Sequence, residues 1–180
     1  MNANKKTARI AGFLLDEDRD AHDNNLASAP HQSAKPGEII TFGIYPQTAD
    51  ATDRMPIKSR VLQNSGSELF ILSEYILDCK RYHGEYVDIF WRDCDLREWL
   101  NDEFYNAAFN AAEKGFIKTT RCMDNGEGSP DTEDKVFLLG VAEVKSLTNT
   151  HGKDIFGTKR RAVGTEFAKV KKRRMSFVCV

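Results

Sequence analysis

The chain has 180 residues, of which 41% are hydrophobic and 29% charged. That content supports a packed core and excludes wholesale disorder, and no run approaches the ~18 consecutive apolar residues that span a bilayer. Net charge is −1, yet residues 36–158 carry 13 basic and 21 acidic groups, whereas residues 159–180 carry eight basic groups and only Glu166, so an acidic body runs into a basic end.

Residues 1–35 read as a flexible N-terminal segment. Residues 16–36 are rich in Asp, Asn, Ala, Ser, His and Pro and cannot bury enough apolar surface to offset the entropy of ordering. The apolar run Ile10-Ala-Gly-Phe-Leu-Leu15 is halted by Asp16-Glu-Asp. It is shorter than the ~7–15 residues of a secretory core, so the expected location is cytoplasmic. The run either docks on the body or forms a brief helix.

Residues 36–180 read as one domain with a basic C-terminal end from about 159. Glu38 to Tyr45 is β-branched and aromatic and predicts a strand. Pro46 to Pro56 reads as a loop. Ile57–Leu62 and Glu68–Ser73 flank the turn Asn64-Ser-Gly-Ser67 and predict an antiparallel hairpin. Residues 75–88 read as irregular. Asp95, with Glu98 three positions on, fits a capping box and predicts a helix whose face carries Leu96, Trp99, Leu100, Phe104, Ala107 and Ala108. Phe109 falls off that stripe, which predicts a break near Asn106 and a second short helix ended by Gly115. Residues 123–134 form a polar loop, Lys135–Gly140 reads as a buried strand, and Ala142–Leu147 as a helical turn or two. No internal repeat is present. The fold class is therefore α+β, with small antiparallel sheets packed on one or two helices.

Cys79, Cys94, Cys122 and Cys179 form no Cys-x-x-Cys pair, which argues against structural zinc, and they are sparse for a disulfide scaffold. Reduced, mostly buried thiols are expected. No two of His22, His31, His83 and His151 have metal-ligand spacing, and His83 reads as an exposed loop residue. The oxygen-rich loop 124–134 departs from the EF-hand pattern and reads as a solvated acidic loop. No metal or cofactor is expected. No nucleophile elbow, P-loop, zincin or dinucleotide motif occurs, so nothing specifies an enzyme.

The distinctive stretch is Trp91-x-x-Cys-Asp-Leu-Arg-Glu-Trp-Leu-Asn101. Trp91, Arg97, Trp99 and Asn101 are its candidate ligand-binding residues, although aromatic residues at helical spacing are more often core. Arg97 is placed to pair with an acid of the body or with a ligand. Lys171, Lys172, Arg173 and Arg174 are candidates for polyanion binding through counterion release, against the alternative of a solvated tail. Phe167 and Phe177 are too few for a base-stacking platform.

Gly37-x-x-Ile-Thr-Phe-Gly-x-Tyr-Pro-Gln-Thr-Ala49, Leu72-Ser-x-Tyr-x-Leu-Asp-Cys79, Tyr86-Val-Asp-Ile and Trp91-x-x-Cys-x-Leu-Arg-x-Trp-Leu-Asn-x-x-Phe104 come in order along the chain. Ile117-x-Thr-Thr, Asp134-x-Val-Phe-Leu-Leu139, Arg161-Ala and Thr165-Glu-Phe-Ala168 follow them. Together they resemble a bacterial family catalogued as domain of unknown function 6273, over about residues 36–168. Ser59 stands where that family usually carries tryptophan. A later Trp-Trp-Leu-Arg-Ser-Pro-like segment and a Gly-Val-Arg-Pro-like strand have no counterpart. That segment resembles the closing half of C-type-lectin-like folds, so the resemblance implies an incomplete C-type-lectin-like architecture. It implies a binding or interaction module for a protein or glycan ligand and transfers no catalytic residue. The alternatives are a truncated member without independent activity and a nucleic-acid-associated protein using the basic end.

Overall fold

The computed structural model describes residues 11–16, 31–123, 125–148, 162–174 and 178–179. Twelve strands alternate with short helices among these residues. The strands are β1 (Ala11–Asp16), β2 (Ile39–Tyr45), β3 (Met55–Asn64), β4 (Glu68–Ser73), β5 (Tyr75–Ile76) and β6 (Cys79–Lys80), then β7 (Ile117–Lys118), β8 (Thr120–Cys122), β9 (Thr132–Asp134), β10 (Phe137–Leu138), β11 (Val163–Gly164) and β12 (Val178–Cys179). The helices are α1 (Asp95–Trp99), α2 (Tyr105–Ala108), α3 (Ala111–Phe116), α4 (Val141–Thr148) and α5 (Glu166–Arg174). The fold is α+β: a main antiparallel sheet in the order β10-β1-β4-β3-β2, with β7 also on β1, and three two-stranded ladders, β8–β9, β6–β12 and the parallel β5–β11. No helix among the described residues is long and apolar enough to cross a membrane.

The hairpin β3–β4 follows its alternation. Leu69, Ile71 and Ser73 of β4 and Ile57, Ser59 and Val61 of β3 point into the core, as period-2 side-chain alternation requires. Ser59 is fully buried there. In β2 the alternation slips, because the β2–β3 register shifts between Thr41 and Ile44. The bulge turns Phe42 and Gly43 inward together and returns Tyr45 to the core. The outer edge of β2 has two of its polar groups occupied: Glu113 accepts from the Gly43 amide at 2.9 Å, and the His31 ring (Nε2) reaches the Thr41 carbonyl at 3.1 Å.

The apolar run at the N-terminus docks on the body. As β1 it pairs with β4 over five residue pairs, Gly12–Leu72 to Asp16–Glu68, and also meets β10 and β7. This part of the segment 1–35 therefore lies inside the main sheet. The basic clusters Lys159–Arg161 and the histidines His22 and His151 lie outside the described residues.

The helical layer differs from its predicted form in three places. Asp95 does not cap α1; Cys94 occupies the N-cap without a side-chain bond. The Asp95 carboxylate instead accepts from the Gly84 amide at 2.7 Å and lies 2.7 Å from His83 Nδ1. A π-turn at Leu100–Phe104 then inserts one residue into the helical repeat. This rotates the buried face, so Tyr105 and Ala108 are covered and Ala107 is exposed. The break comes at Phe109, not at Asn106. Phe109 is extended and folds back into the core, and Asn110 caps α3 by a reciprocal box with Glu113. Asn110→Ala is expected to lower stability by about 0.5–2 kcal/mol in urea denaturation; an unchanged midpoint would mean that the box contributes nothing measurable.

The core lies between the inner face of the main sheet and this helical layer. Tyr45 and Phe104 ring centroids are 5.0 Å apart, Trp99 and Phe104 5.5 Å, and Phe42 and Phe109 5.6 Å. Leu96 and Leu100 are completely buried beside them.

Candidate functional site

Three of the four distinctive-stretch residues are joined to one buried carboxylate or to the two residues that follow it. Asp134, at the end of β9, accepts from Arg97 Nε at 2.6 Å, Trp91 Nε1 at 3.0 Å and Thr132 Oγ1 at 2.7 Å. The remaining guanidinium nitrogens of Arg97 donate to the carbonyls of Arg92 and Glu133. Asn101 receives the amides of Lys135 and Val136 on its side-chain oxygen and donates to the Val136 carbonyl at 2.9 Å. Of the two partners open to Arg97, an acid of the body is thus the one the structure supplies. Trp91, Arg97 and Asn101 tie the helical layer to β9 and β10.

The same network organises the acidic loop. Asn125 donates to the carbonyls of Cys122 and Pro130, and Asp131 pairs with Arg121 at 2.8 Å. Burial, then the negative charges of Asp134 and Glu143, push the Cys122 thiol up to about 12, so it stays protonated. Among the described residues no group of three His, Cys, Asp or Glu side chains is arranged to hold a metal ion.

Trp99 has a different setting. It lines a cleft of about 380 Å³ together with Cys79, Lys80, Arg81, Gly84, Asp95, Glu103 and Lys171. The cleft is assembled from β6, the turn after it, helix α1, the π-turn and helix α5, segments up to 92 positions apart in the chain. Lys80 Nζ lies over the Trp99 ring, 4.9 Å from its centroid, and 3.7 Å from the Glu103 carboxylate. Both partners of that ion pair are solvent-accessible, so it is weak and exchangeable. Arg81 is exposed at the rim and makes no ion pair among the described residues.

The far wall is fixed by Asp78. This buried carboxylate accepts from Tyr45 Oη at 2.8 Å, Lys171 Nζ at 2.8 Å and the Cys79 amide at 2.6 Å. Burial, and next the charge of Asp78, drive the Tyr45 phenol far above its ordinary value of 10.0, so it remains a donor. Helix α5 is seated by further contacts: Thr165 Oγ1 accepts from the Ala168 amide at 3.2 Å, and the Phe167 ring lies 6.0 Å from that of Tyr45.

Of the candidate polyanion-binding residues, Lys171 is committed to Asp78, and only Lys172 is seen exposed. Arg173 and Arg174 end α5, with side chains outside the described set. Lys169 pairs with Glu166 at 2.6 Å. Cys94 is a buried thiol and Cys122 a half-buried one, both outside any disulfide, as expected of reduced cysteines. Cys79 departs from that expectation, because it is disulfide-bonded. His83 is half-buried rather than freely exposed, held by Asp95. Beyond the cleft, Tyr86, Val87 and Phe90 stand exposed on one loop.

Lys80, Arg81 and Glu103 were not legible as site residues, since single charged residues between aromatic ones carry no spacing signal. The one available hint was Asp78-Cys-Lys-Arg81, a charged stretch following an apolar strand.

Residues 66–176 match the model of a family described as Domain of unknown function (DUF6273). The chain matches no curated protein and no solved structure.

Proposed function

The chain belongs to the DUF6273 family, and on that premise we propose that it is a binding or interaction module whose contact surface is the cleft floored by Trp99. The observation that carries the reading is the exposed Arg81 guanidinium, without an internal acidic partner among the described residues, at the rim of a cleft lined by Trp99, which is 7% exposed and has Lys80 over its ring. A guanidinium is a fork-shaped donor suited to carboxylate or sulfate, and the small exposed part of Trp99 adds an apolar contact within the same cleft. The ligand that fits this chemistry is a saccharide bearing an anionic group. The C-type-lectin-like relation belongs to the same proposal; small sheets packed on short helices support it.

The reading is tested on an array of neutral and acidic glycans. Retention of acidic glycans is expected, with about a tenfold or greater loss in Arg81→Ala, the scale of one charged hydrogen bond. Lys172→Ala should bind as the parent does. A blank array, or retention that Arg81→Ala leaves intact, would overturn the reading. Loss in Lys172→Ala alone would place the contact on α5 instead of the cleft and overturn the reading.

A further inference from the structure

Cys79 stands in the cleft wall and is disulfide-bonded. The chain holds four cysteines, of which Cys94 and Cys122 lie outside any disulfide, and the antiparallel ladder sets Cys179 opposite Cys79. Facing residues of such a ladder have Cα atoms roughly 4.5–5.5 Å apart, inside the ~4.4–6.8 Å that a disulfide bridges. We infer that Cys79 and Cys179 form a disulfide strap that fixes one wall of the cleft, so that access to Trp99 depends on the oxidation state of this pair. The regulatory half of the inference rests on the cleft being the contact surface; the existence of the bond does not.

The strap matters because, among the described residues, what holds β12 is its ladder with β6. Its ladder with β6 is two residues long, Val178 opposite Lys80 and Cys179 opposite Cys79, and short isolated ladders are not self-sustaining in water. Helix α5 is secured separately by Lys171–Asp78, Phe167 and buried Ala168. Opening the bond therefore releases β12 and leaves α5 in place. Lys80, whose backbone loses its cross-strand neighbour, is the residue lying over Trp99.

Closure passes two electrons and two protons from the two thiols to a disulfide oxidant, which leaves as two thiols. In opening, a dithiol reductant attacks one sulfur through a mixed disulfide and departs as its own cyclic disulfide. A persistent bond of this kind belongs to an oxidising compartment, and in this proposal that setting replaces the cytoplasmic one expected from the sequence.

Two measurements test the strap without any ligand. Unfolding in denaturant with N-ethylmaleimide, then digestion without reductant, should yield a peptide linking Cys79 to Cys179, with Cys94 and Cys122 alkylated. Denaturant is required because the native Cys122 thiol resists ionisation. Alkylated Cys179, or a different pairing, would overturn the bond. Second, dithiothreitol should remove hydrogen-exchange protection from Val178 and Cys179, leave that of α5, and raise acrylamide quenching of tryptophan emission. Cys179→Ser and Cys79→Ser should each reproduce the reduced state and no longer respond to dithiothreitol. A confirmed bond whose reduction leaves quenching unchanged would overturn the coupling to the cleft. Failure of the glycan array leaves both readouts intact.

Discussion

Replacing Asp134 with alanine is expected to cost the fold about 3–5 kcal/mol, the range for breaking one side of a buried ion pair. The carboxylate is completely buried, whereas the Arg97 side chain is 26% exposed. Its removal leaves three donors, on Arg97, Trp91 and Thr132, aimed at an empty volume. The alternative carbonyl acceptors of Arg97, on Arg92 and Glu133, are already in use. Asp134→Asn retains the shape and part of the accepting capacity, so a smaller loss is expected from it. Urea denaturation followed by tryptophan emission measures both. A loss below about 1 kcal/mol for the alanine variant would place the pair with ordinary surface ion pairs and end its role as the hub between helix and sheet. The asparagine variant has a second readout. With the negative charge gone, the Cys122 thiol should ionise at lower pH than about 12, which an absorbance titration of the thiolate detects.

Gly43→Ala should be comparably severe, at about 2–5 kcal/mol. Two costs combine. Gly43 sits at φ +78°, a conformation that costs L-residues roughly 1–2 kcal/mol. A Cβ there would lie 2.7 Å from Phe109 Cε1 and 2.9 Å from the Ala108 carbonyl oxygen. The ring is locked among Phe42, Phe104 and Tyr105, and the carbonyl is backbone, so neither yields cheaply; forced overpacking costs about 1–3 kcal/mol. Gly66 provides the control, since it has φ +94° and open space around its Cβ direction. Gly66→Ala should carry the backbone cost alone. Equal losses at the two glycines would show that the contact with α2 and Phe109 is irrelevant.

The contrast between these residues explains what could be read in advance. Strands β2, β3 and β4 were legible because period-2 alternation and an Asn-Ser-Gly-Ser turn are local signals. The helix around Trp99 was legible as an element, but its cap was not. An Asp followed three residues later by Glu looks the same whether its carboxylate turns to its own helix or, as with Asp95, to Gly84 and His83. The π-turn at Leu100–Phe104 is also silent in composition, and it is what moves Ala107 out and Tyr105 in. Strand β1 was visible only as a short apolar run, because all of its partners lie more than fifty positions away. Asp134 was one acid among several in a polar loop. Only the fold shows that Asp131 stays outside with Arg121 while Asp134 turns inward. The cleft around Trp99 comes from separated segments for the same reason, so its cationic rim has no contiguous motif.

The two side chains that reach the outer edge of β2 have a consequence for crowded solution. An uncovered edge strand is a template on which another chain can add its own strand, the first step of sheet-to-sheet aggregation. Here Ile39 and Ile44 flank that edge, both substantially exposed, which would make it an adhesive one. Glu113 and His31 occupy the Gly43 amide and the Thr41 carbonyl that an incoming strand would need, and the bulge breaks the straight register between them. The residue that caps helix α3 through its box with Asn110 thus also occupies a group that strand addition would need, so loss of α3 is expected to make this edge more adhesive.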